Sequence, residues 1–220
     1  MMRSPFLQLL TELPDVLPIF PLSGAVLLPG VQLPLNVFEP RYLAMVQAAL
    51  ASDHLIGMVQ PRSQSADEEA LEVHWVGCAG RITSYSETND GRIILVLTGL
   101  CRFKILDELS MQDGFRRIKP AWTDFAQDLE DEEASLAERD QFMGSLRAFC
   151  DRRSVEIPWD DIGQMADSDL VNLLCVHLPL DAEDKQALLE TVSLTERATL
   201  MRGLMDMSAH ASKFGTEQRH

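Results

Sequence analysis

The chain has 220 residues, 46% hydrophobic and 24% charged, with 19 Lys and Arg against 34 Asp and Glu and a formal charge of −15. That length suits one large domain or two small ones, each able to bury a core, and the composition excludes a disordered or fibrous chain. The acid excess argues against nucleic acid and against an anionic membrane surface as partners, since both are held through Lys and Arg.

The excess is uneven. Residues 1–122 hold ten basic and 13 acidic residues, net −3, and residues 123–220 hold nine and 21, net −12, which suggests two parts with different surfaces. Near the N-terminus a short apolar stretch, Phe6 to Leu10, is cut off by Glu12, Pro14 and Asp15. No run approaches the ~20 apolar residues of a bilayer span. The expectation is a soluble, cytoplasmic chain. Cys78, Cys101, Cys150 and Cys175 stand 23, 49 and 25 residues apart with no C-x-x-C pair, so reduced, mostly buried thiols are expected.

The first part reads as β-rich. Residues 16–22 are apolar but carry Pro18 and Pro21, which demotes them to an edge or irregular strand. Residues 25–28 and 33–37 repeat the pattern around a Pro29-Gly30 turn. A helix begins at Glu39-Pro40, where proline suits the first helical position and the glutamate faces the positive end of the dipole. Tyr42, Met45, Val46, Ala49 and Leu50 form its apolar stripe. Residues 55–59 and 73–86 read as strands, with an exposed acidic loop at 61–69 between them. Asn89-Asp90-Gly91 marks a hairpin. The long strand 92–106 follows, with 93–97 apolar on both faces and expected deep in the core. Gly99 marks a bulge or bend, after which alternation points Phe103 and Ile105 inward. Asp113-Gly114 turns the chain into a last strand at 115–122. A small antiparallel barrel or rolled sheet with one helix accounts for this pattern.

Residues 123–134 carry the acidic run Asp128, Glu130, Asp131, Glu132 and Glu133, read as a solvated linker in preference to a metal or basic-partner site. From 135 onward the pattern is helical. Phe142, Leu146, Phe149 and Cys150 share one stripe, and residues 167–178 are apolar on several sides, as in the central helix of a bundle. Residues 181–191 form a short helix. Ser193-Leu194-Thr195-Glu196 is a capping box opening the final helix, with no pattern beyond about Ser208. The fold class is therefore α+β: a β-rich unit at 1–122, the acidic linker, and a helical bundle at 135–220.

The stretch from Leu17 to Val46, closing in Phe38-Glu39-Pro40-Arg41-Tyr42, resembles the start of the substrate-binding N-terminal domain of the ATP-dependent Lon proteases. Gly80-Arg81-Ile82, Asp90-Gly91-Arg92, Thr98 to Phe103, Leu178-Pro179-Leu180, Lys185 to Glu190 and Glu196-Arg197 resemble later parts of the same domain, in order. The resemblance implies a PUA-like β unit followed by helices, and a role in recognising protein substrates. The chain has no G-x-x-x-x-G-K-[ST] phosphate loop, so a stand-alone member without ATPase or Ser–Lys peptidase domains is expected.

Candidate chemistry is thin. Ser145 lies outside any G-x-S-x-G elbow. Cys78 or Cys101 beside His74 could form a Cys–His pair, but a buried structural thiol is the favoured reading. The five histidines show no H-E-x-x-H spacing, and no cofactor is expected. Phe38, Glu39, Arg41 and Tyr42 are the candidate peptide-binding residues, a charged rim beside an apolar surface. The competing reading makes Glu39–Arg41 a helix-start ion pair and puts Phe38 and Tyr42 in the core. Met201, Met205 and Met207 read as core. The function expected is non-catalytic binding of unfolded or extended polypeptide against a strand edge and the proline-rich loops near 16–38, with a Lon-type protease or its substrates as partners. The alternatives are a hydrolase with an unrecognised site and RNA binding through the PUA-like part.

Overall fold

The computed structural model describes residues 10–62, 71–130 and 135–214, with backbone alone from 208 onward. Six strands form one mixed sheet: β1 (Leu17–Pro21), β2 (Gln32–Val37), β3 (Leu55–Val59), β4 (Val76–Glu87), β5 (Ile93–Gln112) and β6 (Phe115–Ala121). Their order is β2-β5-β4-β3-β1-β6, and an additional β5–β6 pairing closes five of them into a barrel. β2 stays outside, paired with the first half of β5.

β1 corrects the expected edge strand. It lies between β3 and β6, parallel to the first and antiparallel to the second, so the barrel is not wholly antiparallel. The prolines are tolerated because the two pairings are staggered. Pro18 precedes the β3 register, which starts at Ile19, and Pro21 follows the β6 register, which ends there. Each ring therefore faces one partner instead of two.

β5 carries the decisive irregularity. Ala79 pairs with Cys101 and Gly80 with Gly99, so Leu100 is an extra residue bulged out of the ladder. One added residue exchanges the two faces of a strand. Beyond it Cys101, Phe103 and Ile105 fill the barrel, while before it Ile93, Leu95 and Leu97 join a second, larger core. Gly99 must be glycine here, since a Cβ would lie 2.0 Å from the Leu28 carbonyl oxygen.

The helices are α1 (Pro40–Leu50), α2 (Arg139–Arg153), α3 (Trp159–Gln164), α4 (Asp167–His177), α5 (Ala182–Glu190) and α6 (Leu194–Phe214). α1 buries Tyr42, Met45, Val46 and Ala49, the expected stripe. α3, a single short turn and a half, has no counterpart in the sequence reading. α6 begins at the capping box, with the Glu196 amide donating to Ser193 Oγ at 3.4 Å, and its backbone stays helical past Ser208 to Phe214. The larger core joins Phe20, Leu35, Met45 and Leu95 to Leu146, Phe149, Leu174 and Met201, so strands and helices share one interior.

A polar seam locks that union. The Arg102 guanidinium, 1% exposed, forms a two-pronged pair with Asp128 (2.9 and 2.7 Å) and donates to the carbonyls of Leu189, Thr191 and Val192. Arg197 donates to Leu188, Thr191 and Val192 and to Asn172 Oδ1, whose amide in turn donates to the Pro29 carbonyl. Two cations thus meet the carbonyls after α5, the negative end of its dipole. This overturns the solvated reading of the start of the acidic segment: Thr123–Leu129 is a 3-10 helix with Phe125 buried and Asp128 clamped to Arg102. Glu130, which follows it, is exposed, and residues 131–134, with Asp131, Glu132 and Glu133 of the run, lie outside the described residues.

Candidate functional site

Before the Leu100 bulge, β5 runs out of the barrel with β4 and β2 as a three-stranded wing. One face of the wing packs on the larger core through Leu35, Val37, Ile93, Leu95 and Ile82. The other continues the barrel's interior side into solvent. The registers Pro34↔Val96, Asn36↔Ile94, Ser84↔Val96, Ser86↔Ile94 and Arg81↔Thr98 place those residues together on it. Phe38 extends the row past β2, with Arg92 as its neighbour at 5.9 Å over the ring.

On this face Phe38, Ile94 and the half-buried Val96 form an apolar strip bordered by Asn36, Ser84, Ser86 and Thr98. Phe38 is 61% exposed and Ile94 49%, and they are diagonal neighbours across the two strands, within reach of one another for long side chains. No carboxylate lies among the register positions just named, although the chain carries 34. Of the acids beside it, Asp90 and Glu39 are each held by an arginine, while Glu87 at the end of β4 is exposed. Asp90 is paired with Arg92 at 2.9 Å, and the Thr88 hydroxyl, then Arg92, hold its carboxyl below the usual range. Glu39 is paired with Arg41 at 2.8 Å.

The four residues singled out in the sequence do not form one groove. Phe38 belongs to the wing face, which corrects its core reading. Tyr42 turns the other way, 9% exposed, with its ring 4.2 Å from Phe20. Arg41 lies over that ring at 4.4 Å and reaches the Asp113-Gly114 hairpin, beside Phe115 and Arg116. Glu39 and Arg41 form the helix-start pair. Ile94, Val96 and Arg92 were missed because the run 93–97 reads as two-faced and buried. Ile94 corrects that reading, and the signal available was the Asn89-Asp90-Gly91 turn close by, which brings the strand to the surface.

A second exposed apolar pair lies across the barrel. The register moves between Ile105↔Pro120 and Asp107↔Lys119, so Leu106 bulges outward beside Trp75 over a groove of about 500 Å³. Glu72, Asp107 and Glu108 rim it, and Arg116 is spent on Glu108 and the Leu71 carbonyl. Burial raises all four thiols, with Cys101 and Cys175 pushed up to about 12; at Cys78 and Cys101 the Asp128 charge adds to it. None is poised as a nucleophile. Among the described residues no group of three His, Cys, Asp or Glu gathers as metal ligands, and no helix is long and apolar enough to cross a membrane.

With barrel, helices and wing in place, the comparisons with known proteins define the class. Residues 16–207 match the family model of the ATP-dependent protease La (LON) substrate-binding domain, and the chain belongs to that family. It is 27% identical to Lon protease 2 of Myxococcus xanthus over 94% of its own length and 25% of that protein's. It is 28% identical to the Lon protease of Cytophaga hutchinsonii over 89% and 24%. The chain thus spans about a quarter of the length of these relatives. Its fold is similar to that of a Lon N-terminal domain protein from Xanthomonas campestris (TM-score 0.60, 24% identity, 84% of this chain and 96% of that one). It is also similar to the N-terminal domain of a Mycobacterium avium complex Lon protease (0.63, 19%, 87% and 98%).

Proposed function

We propose that the chain is a non-catalytic module that captures extended or unfolded polypeptide on the outer face of the wing, for a Lon-type protease or its substrates. The observation that carries this reading is the exposed apolar pair of Phe38 and Ile94, with the half-buried Val96 beside it, in a chain of net charge −15. An apolar patch that survives in solvent on an acidic protein is the ordinary mark of an interaction surface. Phe38 supplies an aromatic anchor with few rotamers to immobilise. The family's description as a substrate-binding domain supports it, and the raised thiols fit a surface that grips without reacting. Glu39, Arg41 and Tyr42 act in this reading by fixing the corner from which Phe38 projects.

The test is fluorescence anisotropy with a labelled, reduced and carboxymethylated protein as the unfolded ligand. Phe38→Ala and Ile94→Asp should each weaken binding at least tenfold while the thermal melt stays within a few degrees of the parent. Equal affinity in parent and both variants would refute this placement, and no binding at high micromolar concentration would refute the function.

A further inference from the structure

We infer that the captured segment adds to the wing as a further strand, along the free edge of β4 at residues 83–87. This rests on the reading of the wing as the capture surface. β3 covers β4 only as far as Arg81, opposite Leu55, and the Ile82 amide is taken by the His54 carbonyl at 2.9 Å. Beyond that point Thr83 to Glu87 run beside β5 alone among the described residues, and all five are exposed. Two observations fix the direction of their backbone groups. The Thr88 amide donates to the Arg92 carbonyl at 2.9 Å, so Thr88, Ser86 and Ser84 are the residues bonded to β5. From the other side, the Gly99 amide donates to the Val31 carbonyl at 2.9 Å, so Leu97, Leu95 and Ile93 turn to β2 and leave Val96 and Ile94 for β4. Both place the N–H and C=O groups of Tyr85 and Glu87 on the open side. These groups recur every second residue, about 7 Å, a spacing that another extended backbone matches. The wing's other margin, β2, turns Pro34 outward at its middle and lacks a donor there.

The side chains beside this edge describe the occupant. Ser84 and Ser86 lie on the outer face between the edge and their register partners Val96 and Ile94. Both are short, so a long apolar side chain on an added strand, about 4.8 Å further out, reaches over them to the apolar strip. On the opposite face Tyr85, 54% exposed, presents its ring to the residue that pairs with it. Glu87 carries the one charge among the five residues, and a carboxylate set against it would be repelled. The occupant is therefore an extended, proline-free segment of about five residues, roughly 17 Å, apolar on alternate positions and without an acid opposite Glu87. A folded protein keeps such sequence inside its own sheets and exposes it on unfolding. A second copy of this chain fits less well. Stable dimers engage about 20–30 residues a side, the edge offers five, and each copy would bring a charge of −15.

The test uses the full chain with the same carboxymethylated protein as ligand. Amide hydrogen exchange should find Tyr85 and Glu87 fast in the free chain and slowed at least tenfold in the complex, with Asn36 unchanged. Tyr85→Pro removes a donor that the fold does not use and should weaken binding at least tenfold. Tyr85→Val keeps that donor and should weaken it less than threefold. Ligand that binds while both amides stay fast would overturn strand addition and leave the capture function standing. Ligand that does not bind at all removes the capture function, and strand addition with it. If Tyr85→Pro lowers the thermal melt, a seven-residue peptide of alternating Val and Thr decides in its place. N-methylation of alternate amides along one of its edges should cost at least tenfold and along the other less than threefold, and equal effects refute strand addition. Sedimentation should show a mass constant with concentration. Self-association that slows the Tyr85 and Glu87 amides would assign the edge to a second copy and overturn this occupant.

Discussion

Arg92 and Arg102 occupy one strand on opposite sides of the Leu100 bulge, and they live in different worlds. Arg102 is buried, two-pronged on Asp128, spread over the Phe125 ring at 4.5 Å and bonded to three carbonyls of the α5–α6 connection. Arg92 is half-exposed, paired with Asp90 at a hairpin tip and edging Phe38. A guanidinium taken out of water must have its donors met, which ties it to a unique arrangement. One left in water is worth little to stability and stays available to a partner. The seam is therefore where this molecule is held together, and the wing is where it has surface to spare.

Breaking the seam should produce the largest effects. Arg102→Ala leaves the buried Asp128 carboxylate without its cation and takes a donor from the Leu189, Thr191 and Val192 carbonyls, the last two keeping Arg197, and should cost about 3–5 kcal/mol. Asp128→Ala should cost less, because the guanidinium keeps its three carbonyl acceptors. Urea unfolding at pH 7 measures both, and a reversed order would mean that the carbonyls contribute little. Asn172→Ala removes the link between Arg197 and the Pro29 carbonyl and should cost about 1–3 kcal/mol. On the wing the pattern inverts. Phe38→Ala should lower stability by under about 0.5 kcal/mol while taking away the peptide affinity, and a large stability loss there would erase the contrast.

At neutral pH the smallest effect concerns the thiols. Burial raises Cys101 and Cys175 from 9.0 to about 12 in the folded chain. Their contribution to stability is therefore present below pH 9 and lost as pH rises toward 12, because the unfolded thiols ionise first. Native protein should react with a thiol reagent at pH 8 only on the timescale of unfolding, and a rapid reaction of either cysteine would contradict its burial.

Much of the fold was legible in the residues. The Glu39-Pro40 start, the Asn89-Asp90-Gly91 and Asp113-Gly114 turns and the Ser193 capping box are local signals, and the elements they delimit lie close to where alternation and periodicity put them. β1 was misjudged because a proline's cost depends on which neighbour pairs where, and that stagger is not local. Half of the proposed site was legible too. Phe38 stands in the motif that carries the family resemblance, but Ile94 hides inside an apolar run that looks buried throughout.

By itself the sequence determined the class: a β-rich unit followed by helices, and membership of the Lon substrate-binding family through motifs spread along the chain. Periodicity and turn chemistry act over a few residues, so they survive in one dimension. Only the tertiary structure decided which residues of those motifs hold the molecule together and which face outward. Thr98 to Phe103 and Glu196-Arg197 became the seam, because the bulge at Leu100 and the close of α5 bring Arg102 and Arg197 to the same carbonyls. Phe38 became surface because the strand beneath it leaves the barrel, and that exit depends on a single extra residue whose effect is felt across three strands.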